Sequence, residues 1–190
     1  MPSSHAERVT VMNILVATDG TLDVERAADA VERWYAEGDA VTVFTALNVP
    51  VDFLRNLGDS GVKEASTIAL EAGQGVGDRA AEQLAHPRPI KDAPVDSPIM
   101  KALHATAVDR TEPLVAALEN RGIKANATWT TTDNKTAKTI LTFVDAWKAG
   151  LVVMGSHGSG RFEGLLGSTG TKIARRCPVS LLMIRNRNEG

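Results

Sequence analysis

Between positions 155 and 169 the chain places glycine at 155, 158, 160, 164 and 167, followed at once by Ser168 and Thr169. Those residue types in that order suit the binding of an anion. Glycines let a backbone come close to a ligand and adopt positive φ. Hydroxyls and unpaired N–H groups at a helix start face negative charge, and the helix reading rests on Ile173 and Cys177, four apart on one face. Arg161, inside the loop, can pair with a terminal phosphate or stand solvated. A second candidate lies far off in sequence, in Asp19-Gly20-Thr21. There a carboxylate can accept hydrogen bonds from a ribose, hold a metal bound to phosphates, or serve only to turn or cap the chain. His157 has no second His, Cys or carboxylate at ligand spacing, so a protein metal site is not expected. Cys177 precedes Pro178 with no activating base nearby in sequence, which reads as a small apolar residue and not a nucleophile.

Two named phosphate motifs are absent. Gly170-Thr171-Lys172 reverses the order that a Walker A loop needs, and Gly158-Ser159-Gly160 begins a dinucleotide fingerprint in which Gly164 falls one place late. The stretch instead resembles the universal stress protein family, whose ATP-binding members carry G-x-x-G, a spacer, then G-S/T. Here Gly155-Ser156-His157-Gly158 is followed by eight residues and then Gly167-Ser168, one residue fewer than the usual spacer. VATDGT around Asp19 resembles the family's first strand and loop. The resemblance implies a Rossmann-like, adenine nucleotide alpha hydrolase-like fold of strand order 3-2-1-4-5, with ATP or ADP, accompanied by Mg, as the ligand. It also implies binding roles for Asp19, Gly155, Gly158, Gly167 and Ser168, while Arg161 and Thr169 join them on the residue reading alone, with Ser168 and Thr169 equally able to cap the helix. Ala46 matches the family position whose backbone touches adenine, and Met154 the one before the first motif glycine, although both also read as plain core residues.

The elements that would position these residues can be read from hydrophobic periodicity. Near-continuous apolar runs at 11–18 and 151–154 suit strands buried on both faces, 40–49 and 178–184 read as further strands with the last at the outer edge, and 123–131 alternates weakly, as a strand nearer a sheet edge does. Val24, Ala27, Ala28, Val31 and Tyr35 have helical spacing, with Asp23 and Glu25 in the first turn and Gly38 as a stop. Ser97-Pro98 opens a further helix carrying Ile99, Leu103, Ala107, Leu114, Val115 and Leu118, which Gly122 ends and Pro113 is expected to kink or split near 109–111. Asp133 can cap the next helix, whose Ala137, Ile140, Leu141, Val144 and Trp147 form a stripe. Strands alternating with helices give an α/β fold with a five-stranded, mostly parallel sheet between helices. In such sheets ligands sit at the carboxyl ends of the strands where the strand order reverses. With the implied order, Asp19 and Gly155 flank one crevice.

Residues 50–97 read as a long connection or insertion in a single domain spanning 1–190, with helical character at 62–72 and 76–85 and four prolines within 86–98. Hydrophobic residues make up 43% and charged residues 23% of the 190, and the net charge is −2. That balance argues against nucleic acid and membrane surfaces, and Trp34, Trp129 and Trp147 are too scattered for a stacking platform. No apolar run reaches membrane-spanning length, the opening MPSSHAER lacks a signal-peptide core, and the single cysteine forbids an internal disulfide. A cytoplasmic protein is expected. The resemblance further implies a homodimer paired through the last strand, Val179 to Ile184. The function expected is an ATP- or ADP-binding regulatory protein of the stress response, with at most slow hydrolysis, since no general base, arginine finger or lysine is placed over the phosphates. Two alternatives stay open: a stress-family interaction module that binds no nucleotide, and an enzyme acting at the nucleotide α-phosphate on the same fold.

Overall fold

Strands β1 (Asn13–Ala17), β2 (Ala40–Asn48), β3 (Ala125–Thr132), β4 (Ala149–Gly155) and β5 (Ser180–Ile184) make one five-stranded sheet in the order β3-β2-β1-β4-β5. Every neighbouring pair is parallel, so the sheet is parallel throughout. This is a computed structural model, and it describes residues 11–49, 98–156 and 167–185. The helices read at 62–72 and 76–85 and the capping Ser97 lie outside the described residues.

The apolar runs follow from burial on both faces. In β1, Ile14 and Val16 point to one face while Leu15 and Ala17 point to the other, and all four are buried. On the first face they meet Ala27, Ala28 and Val31 of helix α1 (Val24–Trp34) and Leu114, Ala117 and Leu118 of helix α2 (Pro98–Glu119). On the second they meet Ile140, Phe143 and Val144 of helix α3 (Thr136–Ala146) and Ile173 of helix α4 (Ser168–Arg176). Helices therefore cover both sides of the sheet, as parallel crossovers require. Phe143 stacks on Phe44 of β2 with ring centroids 4.5 Å apart, and Trp147 extends the contact at 6.0 Å.

Polar groups fix the ends of the elements. Asp23 is the N-cap of α1, its carboxylate accepting from the Arg26 N–H at 3.1 Å, so it sits one place before the first turn assigned to it from sequence. The helix ends at Trp34, and Gly38 (φ +93°) lies in the turn that follows. Buried Asp39 closes that turn: its carboxylate accepts from the N–H of Met12 at 2.7 Å and of Ala36 at 2.9 Å. Asn13 donates to the Trp147 carbonyl at 2.7 Å, tying the start of β1 to the end of α3. Arg121, after α2, donates to Glu25 and Asp29 of α1, each at 2.7 Å. Those two bonds, Glu25's first, hold its guanidinium above its ordinary pKa.

Two local details differ from expectation. Of the two outcomes expected at Pro113, kink or split, the split does not occur, for α2 runs through 22 residues. A proline removes only its own N–H bond to the carbonyl four back, and buried Leu114, Ala117 and Leu118 hold the following turns on the sheet. Asp133 does not cap α3. The N-cap position is Lys135, which makes no side-chain cap bond. The chain is turned there by Asn134 (φ +52°), which exchanges two 2.8 Å hydrogen bonds with Asn48 at the end of β2. The weakly alternating strand, β3, does lie at a sheet edge, and Pro98 does open α2.

Phe143→Ala should lower unfolding stability by about 3–5 kcal/mol in urea titrations followed by circular dichroism, the range for a fully buried aromatic. Asp39→Ala should lower it by about 2–3 kcal/mol, because two buried-end N–H groups lose a charged acceptor. A change near zero at either position would show that the contact does not hold the fold.

Candidate functional site

At the carboxyl edge of the sheet, β1 lies between β2 and β4, and the chain's crossovers leave in opposite directions from there. Ala17, the last residue of β1, pairs with Met154 of β4, which brings the Thr18-Asp19-Gly20 turn beside Gly155. The pairing continues past β1: the Thr18 N–H donates to the Phe44 carbonyl at 2.9 Å. Asp19 is exposed, and its Oδ1 accepts from the Thr21 N–H at 3.0 Å and the Thr21 hydroxyl at 2.6 Å. The turn reading of Asp19 is thus correct in detail, and the second carboxylate oxygen is not committed by those two bonds. Gly20 has φ +92°, and a Cβ there would stand 2.9 Å from Cγ of Arg110 on α2. Only glycine fits that corner, by backbone angle and by space.

The other wall begins at Ser156, which is buried. Its N–H donates to the Ile184 carbonyl of β5 at 2.8 Å, and its own carbonyl accepts from the Gly167 N–H at 3.2 Å. The chain therefore leaves β4 and re-enters α4 at the same point. Gly167 is the N-cap of α4, and among the described residues no side chain caps this helix. Its opening amides lie at the sheet's carboxyl edge, an arrangement that attracts an anion.

Of the residues singled out from sequence, Asp19, Met154, Gly155, Gly167, Ser168 and Thr169 gather along this edge, on or just beyond adjacent elements. Ala46 is one strand away, in the last turn of pleat of β2, half-buried against the core and paired with Thr130. Gly158 and Arg161, with His157, lie outside the described residues. Among the described residues no group of three or more His, Cys, Asp or Glu could hold a metal ion. Cys177 is the C-cap of α4, half-buried beside the second-face core.

Sequence reading missed a groove of about 650 Å³ between α3 and α4. It shares Ser168 and Thr169 with the set above and not Asp19, Ala46, Met154 or Gly155. Lys138 and Thr142 line it from α3, and Lys172 and Arg176 from α4. The four-residue spacing of Ser168, Lys172 and Arg176 was a readable signal of a common helix face. The partner wall was not, because only the fold places α3 beside α4.

Comparison with known proteins agrees with this architecture. No curated protein matches the chain significantly. Among solved structures it is similar to hypothetical protein MJ0577, at 15% identity and a TM-score of 0.59, covering 95% of this chain and 100% of that one. It is similar to a universal stress protein family protein from Arabidopsis thaliana solved with AMP bound, at 9% identity and a TM-score of 0.52, covering 94% of each chain. A protein of the same family from Burkholderia pseudomallei aligns at 16% identity and a TM-score of 0.50, over 93% of this chain and 98% of that one. These likenesses establish the fold. No helix among the described residues is long and apolar enough to cross a membrane. The family model of the universal stress protein family matches residues 10–185, so nearly the whole chain, with its β3-β2-β1-β4-β5 sheet, belongs to that family.

Proposed function

We propose that this protein binds an adenine nucleotide at the carboxyl ends of β1 and β4, as a regulatory component of a stress response. The observation that carries the reading is the junction at Ser156 and Gly167, where one backbone hydrogen bond sets the start of α4 against the end of β4. In this reading the amides and hydroxyls of Ser168 and Thr169 receive the phosphates, Gly155, Gly158 and Gly167 let the main chain approach them, and Arg161 pairs with a terminal phosphate. Asp19 accepts from the ribose through the carboxylate oxygen that its turn leaves free, while the backbone near Ala46 and Met154 borders the base. AMP bound to the Arabidopsis relative supports adenine as the base. ATP or ADP is the ligand proposed, with Mg held by the phosphates and water, since the described residues offer no carboxylate cage for it. Hydrolysis is slow at most, and the protein works in the cytoplasm.

A homodimer paired through β5 belongs to the same proposal. The strand is an edge of the sheet, and Leu181, Leu182 and Met183 are only half-buried on it. A second copy related by a two-fold axis would cover that edge.

Isothermal titration with ATP and Mg should give a saturable heat on the native protein. Gly167→Val should weaken binding by about tenfold or more, because a β-branched side chain holds the phosphate away from the amides that must touch it. Undiminished affinity in that variant, with an unchanged melting temperature, would remove the phosphate role of this loop. Release of AMP and pyrophosphate at rapid turnover would replace the binding reading with an α-phosphate enzyme. In sedimentation equilibrium the native protein should run at twice the chain mass and Leu181→Lys at the chain mass. A native monomer at micromolar concentration would overturn the dimer.

A further inference from the structure

The groove between α3 and α4 carries a charge pattern that the crevice at β1 and β4 does not use. Among the described residues its walls hold Lys135, Lys138, Lys172 and Arg176 against a single carboxylate, Asp145. All four cations are exposed, and none makes an ion pair or side-chain hydrogen bond among the described residues. The groove is thus locally cationic in a chain whose net charge is −2. It is also ordered. Lys172 and Arg176 follow Ser168 in four-residue steps on α4, so cations recur about 6 Å apart along one face of the helix. Lys138 stands on the opposite wall, with the hydroxyls of Thr136 and Thr142 in the same lining.

We propose that this groove is a track for a linear polyphosphate chain, running from Ser168 and Thr169 past Lys172 and Lys138 to Arg176. Two observations select this ligand class. The volume, about 650 Å³, is that of a small-molecule cleft and not of a surface for a folded partner. The groove also opens at the two hydroxyl residues already assigned to phosphate, so a chain longer than a monophosphate continues into it without a break. The cations stand on two adjacent helices with flexible side chains, so several of them can reach one multiply charged anion in the groove. The proposal rests on the nucleotide reading for its nucleotide form: the ligand class becomes triphosphates and longer-chain nucleotides, discriminated from AMP by the groove.

The test compares the native protein with a Lys138→Gln, Lys172→Gln, Arg176→Gln triple variant by isothermal titration with AMP, ATP and inorganic tripolyphosphate, at low and high salt. The substituted side chains are exposed, so the variant should melt at the native temperature. The native protein should bind ATP and tripolyphosphate more tightly than AMP. The variant should lose about tenfold for both, with a shallower salt dependence, and keep its AMP affinity. If ATP, AMP and tripolyphosphate bind the variant as they bind the native protein, the groove holds no phosphate and the proposal is overturned while the nucleotide reading stands. If tripolyphosphate alone binds and the variant loses it, the track stands and the adenine reading falls. If none of the three binds the native protein, both fall.

Discussion

The arrangement depends on β1 having parallel neighbours on both sides, β2 and β4, whose crossovers depart toward opposite faces of the sheet. A parallel strand can be followed by its next neighbour only through a right-handed crossover, so helices α1 and α2 are committed to one face and α3 and α4 to the other. At this reversal of strand order the crossovers leave β1 and β4 toward opposite sides of the sheet. Asp19, Gly155 and the start of α4 therefore reach a common edge. The backbone creates the opening before any side chain contributes to it.

What keeps that opening in place is burial on both sides of it. Ile14, Val16, Leu151 and Val153 belong to one core, while Leu15, Ala17, Val152 and Met154 belong to the other. Adjacent residues of β1 and β4 thus serve different cores, and a slip of one residue would exchange the two sets. Asp39 and Asn13 add polar ties at the amino end of β1. The opposite end of β1 has no such tie from α3 among the described residues, and it is at this end that the candidate residues Asp19 and Gly155 lie.

Much of this was legible in the sequence because the signals are local. Runs such as Ile14 to Ala17 announce strands covered on both faces, and the strand order followed from a resemblance carried by a few glycines and Asp19. The glycine loop beside the helix start was legible for the same reason. What escaped was whatever depended on tertiary neighbours. Pro113 breaks helices in isolation, yet α2 is carried through it by residues packed on the sheet. Asp133 looks like a cap, but Asn134 is captured by Asn48 from another strand and the helix starts elsewhere. The cationic groove is divided between two helices separated in sequence by the whole of β4 and the loop after it, so neither half reveals it alone.

The hydrogen bond from Gly167 to Ser156 bears on how this loop can change over time. With both ends fastened by the main chain, the length of the segment between them is nearly decoupled from the position of the helix. Lengthening it by one residue would alter the closure entropy by only about 0.1 kcal/mol. A change in the length of this loop therefore leaves the start of α4 where it was, without repacking the sheet.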